Sequence, residues 1–376
     1  MNILITGGSG FIGSRLALAL VANGHHVKVL DTLARQIHGD DPESSPLYLT
    51  IKGTVDFFRG SVTSRDDLMN VLPGVDTVVH LAAETGTGQS MYAIRHYSDV
   101  NVGGTALLLD LIANEPFPVR KIVVASSRAV YGEGKYRCVQ HGHVFPSSRP
   151  AGDMERGDFS VRCPRCGTSV EVVPSDEETP VRPVSIYGVT KLAQEQMVLT
   201  VGKALEISAL AFRYQNVYGP GQSLSNPYTG MLSIFSTRIR NGNGINIFED
   251  GLESRDFVFV DDVVAATVRG IEYETPIVDV FNVGSGVPSS VLTVATALQR
   301  LLGQSVTTEI SGQYRLGDIR HNYADLTKIR SAFGFEPSVT IEEGLRQFVV
   351  WVKGEKIQVD RYEESLKELT AKGLFK

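Results

Sequence analysis

Asn2-Ile3-Leu4-Ile5-Thr6-Gly7-Gly8-Ser9-Gly10-Phe11-Ile12-Gly13 stands at the head of the chain and decides its fold. Five residues of strand character run directly into glycines spaced G-x-x-G-x-x-G, and a helical pattern begins at Phe11. Small residues here let the backbone turn tightly and approach a pyrophosphate, whose charge is met by amides at the helix N-terminus. A glycine turn alone is weak evidence; the preceding strand and following helix supply the required context. Gly7, Gly10 and Gly13 are therefore candidate cofactor contacts, with Phe11 and Ile12 beside them. Asp31 ends the second strand pattern, where a carboxylate accepts hydrogen bonds from adenosine ribose hydroxyls and repels the extra phosphate of NADP. The glycines and Asp31 together favour NAD.

Moving outward, strand patterns at 26–30, 55–59, 76–81, 121–126 and 207–212 alternate with helical patterns near 11–23, 65–71, 97–114 and 187–204. That rhythm predicts an α/β, Rossmann-type doubly wound parallel sheet covered on both faces. After the third and fourth strands, Ser61 and Val62 form a wall for the adenine. Leu81, Ala82 and Ala83 let the cofactor lie against the backbone. An NAD-binding domain over 1–215 is expected to contain an irregular insertion at 133–182. A smaller C-terminal substrate-binding subdomain follows at 216–352, interleaved with the sheet around 256–283. Residues 353–376 read as a charged helical tail with little core signal.

Composition excludes several classes. The 376 residues are 42% hydrophobic and 21% charged, with a formal net charge of −6, which argues against a nucleic-acid partner. The apolar runs are too short to span a bilayer, and the first strand leaves no room for a signal peptide. Three cysteines do not make a secreted disulfide framework. The expected location is the cytoplasm.

Tyr187 and Lys191 lie four residues apart on one helical face. Free tyrosine, with a pKa of about 10, is a poor base at neutral pH. A nearby ammonium and a positive nicotinamide favour the phenolate. Ser127 follows the fifth strand, where its hydroxyl would face a substrate above the sheet, and Asn101 lies in the preceding helix.

With Ser126-Ser127-Arg128-Ala129-Val130-Tyr131-Gly132, Tyr187-Gly188-Val189-Thr190-Lys191 and the glycine loop in order, the chain resembles the extended short-chain dehydrogenase/reductases. Within these it is similar to the NAD-dependent epimerase and dehydratase family, from residue 2 to about 350 apart from the insertion. The resemblance implies tightly bound NAD and a nucleotide-diphosphate sugar as substrate. Tyr187 would be general base and acid, Lys191 its partner and ribose ligand, and Ser127, rather than Ser126, the hydroxyl partner. It places Tyr214 and Asn101 with the cofactor, and Asn216, Arg128, Arg255, Arg315 and Asp318 with the sugar diphosphate. Arginine suits that role because its planar fork donates two bonds at once. Many relatives carry aspartate at the position of Ser61, so adenine recognition departs from the family here.

Dehydratases of the family carry an acid pair where this chain has Arg128 and Ala129, and 3,5-epimerases need a pocket cysteine. A 4-epimerase asks only for Ser, Tyr, Lys and NAD. The segments His80–Met91 and Asn216–Tyr228 resemble the bacterial subgroup acting on dTDP-L-rhamnose, and this places Thr85, Thr87 and Gln89 near the sugar. A UDP-hexose epimerase, a 4-ketoreductase or dehydrogenase with net turnover, and a non-catalytic NAD sensor are the rival readings. The resemblance also implies a homodimer paired through the helices near 97–114 and 187–204.

In the insertion, Cys138-x-x-His141 and Cys163-Pro164-Arg165-Cys166 supply three thiolates and an imidazole, a closed and therefore structural zinc shell. His143 competes with His141 as fourth ligand. A Cys163–Cys166 redox pair is the alternative.

Overall fold

The computed structural model describes residues 1–228 and 230–376. Its centre is a sheet of seven strands: β1 (Asn2–Thr6), β2 (His26–Asp31), β3 (Asp56–Arg59), β4 (Thr77–His80), β5 (Lys121–Ser127), β6 (Ser208–Tyr214) and β7 (Val278–Val283). Their spatial order is β7-β6-β5-β4-β1-β2-β3, and every neighbouring pair is parallel. The order reverses between β1 and β4, which opens a crevice at the carboxyl ends of those strands.

Four helices cover the faces: α1 (Phe11–Ala22), α2 (Gly104–Asn114), α3 (Ile186–Ala204) and α4 (Val260–Glu272). Strand alternation sorts the side chains between them. Ile3 and Ile5 share a core with Leu16 and Leu20 of α1 and Val263 and Ile271 of α4. Leu4, Val78 and Ile122 share the opposite core with Leu108 and Ile112 of α2 and Val198 of α3. The helical pattern near 97–114 is not continuous. A short helix, Ile94–Tyr97, runs into a π-helical turn, Ser98–Gly103, before α2 begins. Such turns concentrate at functional sites.

Of the stretch 256–283, expected to return to the main sheet, only β7 does so. Strand Ser254–Phe259 belongs to a second, four-stranded sheet, pairing with Asn216–Tyr218, Pro288–Ser290 and His321–Asn322. Its Phe257 and Phe259 point into a separate apolar cluster with Leu232, Phe235 and Phe348. Burial on both sides, rather than half-burial, makes the apolar run look like a main-sheet strand in sequence.

Residues 136–172 carry a small three-stranded antiparallel sheet made of Gly142–Val144, Tyr136–Cys138 and Glu171–Val172. Buried ion pairs lock this region to the substrate side. Arg149 donates to Glu249 at 2.8 and 2.9 Å and to Glu133 at 3.1 Å. Arg320 donates to Glu249 at 2.8 Å and through its backbone N–H to Glu133 at 2.8 Å. Glu249 is held in the left-handed region at φ 53°, unusual for a residue with a side chain. The charged tail is not peripheral either: helix Tyr362–Ala371 and the residues after it bury Tyr362, Leu369 and Phe375. Among the described residues, no helix is long and apolar enough to cross a membrane.

Arg149→Met leaves two buried carboxylates each short of a charge partner. Breaking a buried pair from one side costs about 3–5 kcal/mol. Urea unfolding of this variant is expected to show a loss of that order; a change near zero would mean that Arg320 alone satisfies Glu249 and Glu133.

Candidate active site

The glycine loop is shaped by two close approaches. Gly7 has φ 71°, and a Cβ there would lie 2.8 Å from the Ala82 nitrogen. A Cβ on Gly13 would lie 2.4 Å from the Gly7 carbonyl oxygen. Larger residues would push the loop off β4 and α1. Asp31 braces the loop from β2, its carboxylate accepting from Ser9 N at 2.9 Å and Leu33 N at 2.8 Å. The cradle is open to a dinucleotide and its residues fit NAD.

A single cavity of about 1240 Å³ runs from this loop to the substrate side. An ordinary single-ligand pocket is roughly 300–1,000 Å³. The volume therefore suits a dinucleotide and a second ligand end to end. The cavity is lined by the candidates for the cofactor, Gly7, Gly10, Phe11, Ile12, Gly13, Asp31, Ser61, Val62, Leu81, Ala82, Ala83 and Tyr214. The candidates for the sugar also line it: Thr85, Thr87, Ser127, Arg128, Asn216, Arg255, Arg315 and Asp318, along with Tyr187 and Lys191.

Two residues fall outside this set. Asn101 is fully buried in the π-helical turn and does not line the cavity. Its amide accepts from Glu84 N at 2.7 Å and donates to Glu84 O at 3.1 Å and Thr190 Oγ1 at 3.0 Å. It thus clamps the loop after β4 to α3 from behind the cavity wall. Gln89 also turns away from the cavity, accepting from Tyr97 and Gln36.

α3 starts at a Ser185 cap, which accepts from Gly188 N at 3.1 Å and fixes the first turn that carries Tyr187. Burial pushes the Tyr187 phenol up, while the nearby Ser127 hydroxyl and the Arg128 charge pull it back down. Ser126, its neighbour on β5, gives its hydroxyl to Glu195 at 2.6 Å, which leaves Ser127 to face the cavity. Lys191 is buried, and burial lowers its ammonium to about 7. It donates to Ala125 O and Gln194 Oε1, each at 2.9 Å.

Further along, arginines gather. Arg255 is aimed by three carbonyls, donating to Ile319 O at 2.7 Å and to Ser254 O and Arg320 O at 2.9 Å. Arg315 donates to Asp318 at 2.8 Å. Arg128 donates to Asn216 at 2.5 Å, and burial followed by repulsion from Arg255 lowers it to about 9. Three guanidiniums around one carboxylate leave an excess positive field suited to a diphosphate. Sequence reasoning did not single out Phe248, Glu253 or Tyr362, which also line the cavity, as does Tyr228 at the end of the Asn216–Tyr228 segment.

Away from this cavity, Cys138, His141, Cys163 and Cys166 bring their ligand atoms within 4.8 Å of one another. His143 is exposed on its strand and outside the cluster.

Known proteins resemble this chain in sequence and fold. The chain is 35% identical to the dTDP-L-rhamnose 4-epimerase of Burkholderia thailandensis, over 94% of this chain and 95% of that one. It is 32% identical to the UDP-glucose 4-epimerase of Mycolicibacterium smegmatis, over 93% and 97%. The solved UDP-glucuronic acid 4-epimerase of Bacillus cereus, in complex with UDP-glucuronic acid and NAD, superposes with a TM-score of 0.77 at 26% identity, covering 94% of this chain and 99% of that one. With residues 3–149 and 165–284 matching the family profile itself, the chain belongs to the NAD dependent epimerase/dehydratase family.

Proposed function

We propose that dTDP-L-rhamnose is the substrate of this NAD-dependent nucleotide-sugar 4-epimerase, inverted at C4 through a transient 4-keto sugar to dTDP-6-deoxy-L-talose. One observation carries the reading of the chemistry. Tyr187, with Ser127 and Arg128 acting on its phenol, opens into the same cavity as the glycine cradle and the arginines around Asp318. The choice of sugar nucleotide is supported by the 35% identity to the Burkholderia enzyme over nearly the whole chain.

When bound, NAD supplies a reversible acceptor for the C4 hydride. Tyr187 takes the proton of the 4-hydroxyl as the C–H bond is broken and returns it after the sugar turns over. Lys191 favours the phenolate through its charge and holds the nicotinamide ribose, while Ser127 bonds the reacting oxygen. Arg128, Arg255 and Arg315 grip the diphosphate, so the 4-keto sugar stays tethered while it presents its other face. Positions 128 and 129, arginine and alanine, offer no acid pair for loss of water. The working unit in this reading is a homodimer paired through α2 and α3, which sedimentation velocity would register as twice the chain mass.

The Cys138, His141, Cys163 and Cys166 cluster is read as a structural zinc site. Sγ of Cys138 lies 3.6 Å from Nδ1 of His141 and 3.7 Å from Sγ of Cys166, and Cys163 lies 3.5 Å from the same imidazole nitrogen. A tetrahedron with Zn–S of about 2.3 Å and Zn–N of about 2.0–2.1 Å has edges of about 3.5–3.8 Å, which those separations match.

Proton NMR of dTDP-L-rhamnose with the purified protein and no added cofactor is expected to show a C4-inverted sugar approaching equilibrium. Turnover that awaits added NADH or NADPH and a 4-keto sugar would replace the epimerase with a reductase. Turnover of a UDP-hexose alone would keep the chemistry and change the substrate. Tyr187→Phe is expected to lower kcat by about 10²–10⁴-fold, the range for removing a general acid–base group. A sensor would bind NAD equally well in both forms and turn over nothing.

Elemental analysis is expected to find about one zinc per chain, the ratio of one closed four-ligand shell. Chelation should lower the melting temperature without releasing NAD. A metal-free protein whose three cysteines titrate freely would end the zinc reading.

A further inference from the structure

Glu133 and Arg149 are buried charges of the insertion, and neither lines the cavity. All five N–H groups of the Arg149 guanidinium are nevertheless committed. Nε donates to Glu133 at 3.1 Å. Nη1 donates to Glu249 at 2.8 Å and to Phe159 O at 3.4 Å. Nη2 donates to Glu249 at 2.9 Å and to Asp318 O at 3.2 Å. A fork so fully engaged has no donor left for a ligand and fixes the segments that it joins.

One of those segments, residues 318–320, also sets the arginines of the cavity. Its backbone is held from the insertion side, by Arg149 on the Asp318 carbonyl and by Glu133, which accepts from Arg320 N at 2.8 Å. The next two carbonyls accept from Arg255, at 2.7 Å on Ile319 and 2.9 Å on Arg320. The Asp318 carboxylate accepts from Arg315 at 2.8 Å. One stretch of backbone thus separates the two buried charges from the groups that face the ligand. The insertion also packs beside Arg315, since Tyr314 shares a buried cluster with Met154 and Phe159, and Leu316 packs against it.

A second sign comes from Glu249, which lines the cavity with its backbone in the left-handed region at φ 53°. A residue with a side chain stays in that conformation only where its surroundings over-determine it, and such strain gathers at functional sites. Here the surroundings are Arg149 and Arg320, both bonded to its carboxylate. Met154 and Phe159 of the insertion, and the whole of 318–320, lie outside residues 3–149 and 165–284, the part shared with the family profile. The link is therefore built largely from what this chain adds to that profile.

We propose that the insertion is a strut for the diphosphate-binding arginines, with Glu133 and Arg149 as positioning residues that act through the backbone of 318–320 on Arg255. Neither touches the substrate. A guanidinium aimed by carbonyls is only as well placed as those carbonyls are, and the insertion holds them from behind. Charge and position make opposite demands on Glu133. As a negative charge it opposes an anionic ligand, so its loss by charge alone would tighten binding; as an anchor its loss loosens Arg255 and weakens binding. This inference rests on the nucleotide-sugar reading above.

Calorimetric titration of the NAD-loaded protein with UDP and dTDP, well below the unfolding transition of each variant, tests it. Arg149→Met is expected to weaken the tighter diphosphate about tenfold, inside the range for residues that share one bonded network. Glu133→Gln, milder for folding, has one acceptor for two donors and should weaken it about threefold, against the direction of its charge. The decisive comparison is a double-mutant cycle with Arg255→Lys, which keeps the charge and loses the aimed fork. In that background Arg149→Met should cost less than about threefold. In turnover both single variants should raise KM and leave kcat within about twofold, as loss of uniform binding does. Bound NAD should stay at the wild-type level. Tighter binding by Glu133→Gln, a tenfold loss that persists in full in the Arg255→Lys background, or loss of NAD alongside would each overturn the proposal. A wild type that binds neither diphosphate would remove the nucleotide-sugar reading as well, whereas wild-type binding with uncoupled variants would sink this inference alone. Because UDP and dTDP are both probed, a wrong sugar assignment fails in the NMR experiment without touching this one.

Discussion

A buried ammonium is the constraint around which the reacting end is organised. Lys191 sits where a charge is costly, and its partners are a backbone carbonyl of β5 and the side-chain oxygen of Gln194, which lies one turn further along α3. Gln194 is oriented in turn, donating to Thr105 at 2.8 Å, and Thr105 meets His80 at 2.9 Å. His80 reaches Thr6 at 2.7 Å. Burial, reinforced by Lys191, lowers this imidazole to about 3, so it remains neutral and adds no second charge. A relay of polar groups thus ties β1, β4, α2 and α3 to the position of one nitrogen. Fully satisfied networks of this kind fix a geometry as well as stabilise it.

The substrate side solves the opposite problem. There the positive groups are left in excess, because the ligand brings the compensating charge. Arg255 spends its donors on neutral carbonyls, which aim it without cancelling it, and Asp318 offsets only part of the Arg315 charge. Arg149 and Arg320, by contrast, are engaged by carboxylates, Glu133, Glu249 and Asp250. Arginines already held by carboxylates give rigid support, and those aimed by carbonyls are left for a diphosphate.

The legible parts of the chain were those whose chemistry is local. The glycine spacing, Asp31 at a strand end and the four-residue interval between Tyr187 and Lys191 are each set by one turn or one helix, and all of them line the cavity. Ser127 is marked by its place ahead of Val130-Tyr131-Gly132, and its neighbour Ser126 is bound to Glu195. The hidden parts were set by contacts distant in sequence. Asn101 carries no mark that its amide will be consumed by Glu84 and Thr190. The run Asp256–Val260 has the composition of a central strand, yet it pairs in another sheet because Phe257 and Phe259 have their own cluster to fill. Tyr362 looks like one more residue of a charged helix until the Arg238 guanidinium is found over its ring.

The insertion between β5 and α3 shows why a long excursion is tolerated at so sensitive a place. Lengthening a loop adds closure entropy only slowly, about 0.6 kcal/mol per doubling. The larger risk is loss of position, since β5 carries Ser127 and α3 carries Tyr187. Three features keep the ends fixed. The chain turns at Gly132, where a Cβ would lie 2.2 Å from the Arg182 carbonyl oxygen, so the two ends of the excursion touch. Glu133 enters the ion network immediately afterwards, and Ser185 caps α3 at the return. Between those anchors the small sheet has its own core of Tyr136, Val144 and Val161 beside the cysteines. The excursion is closed at its neck, which fixes the ends of β5 and α3 that carry Ser127 and Tyr187.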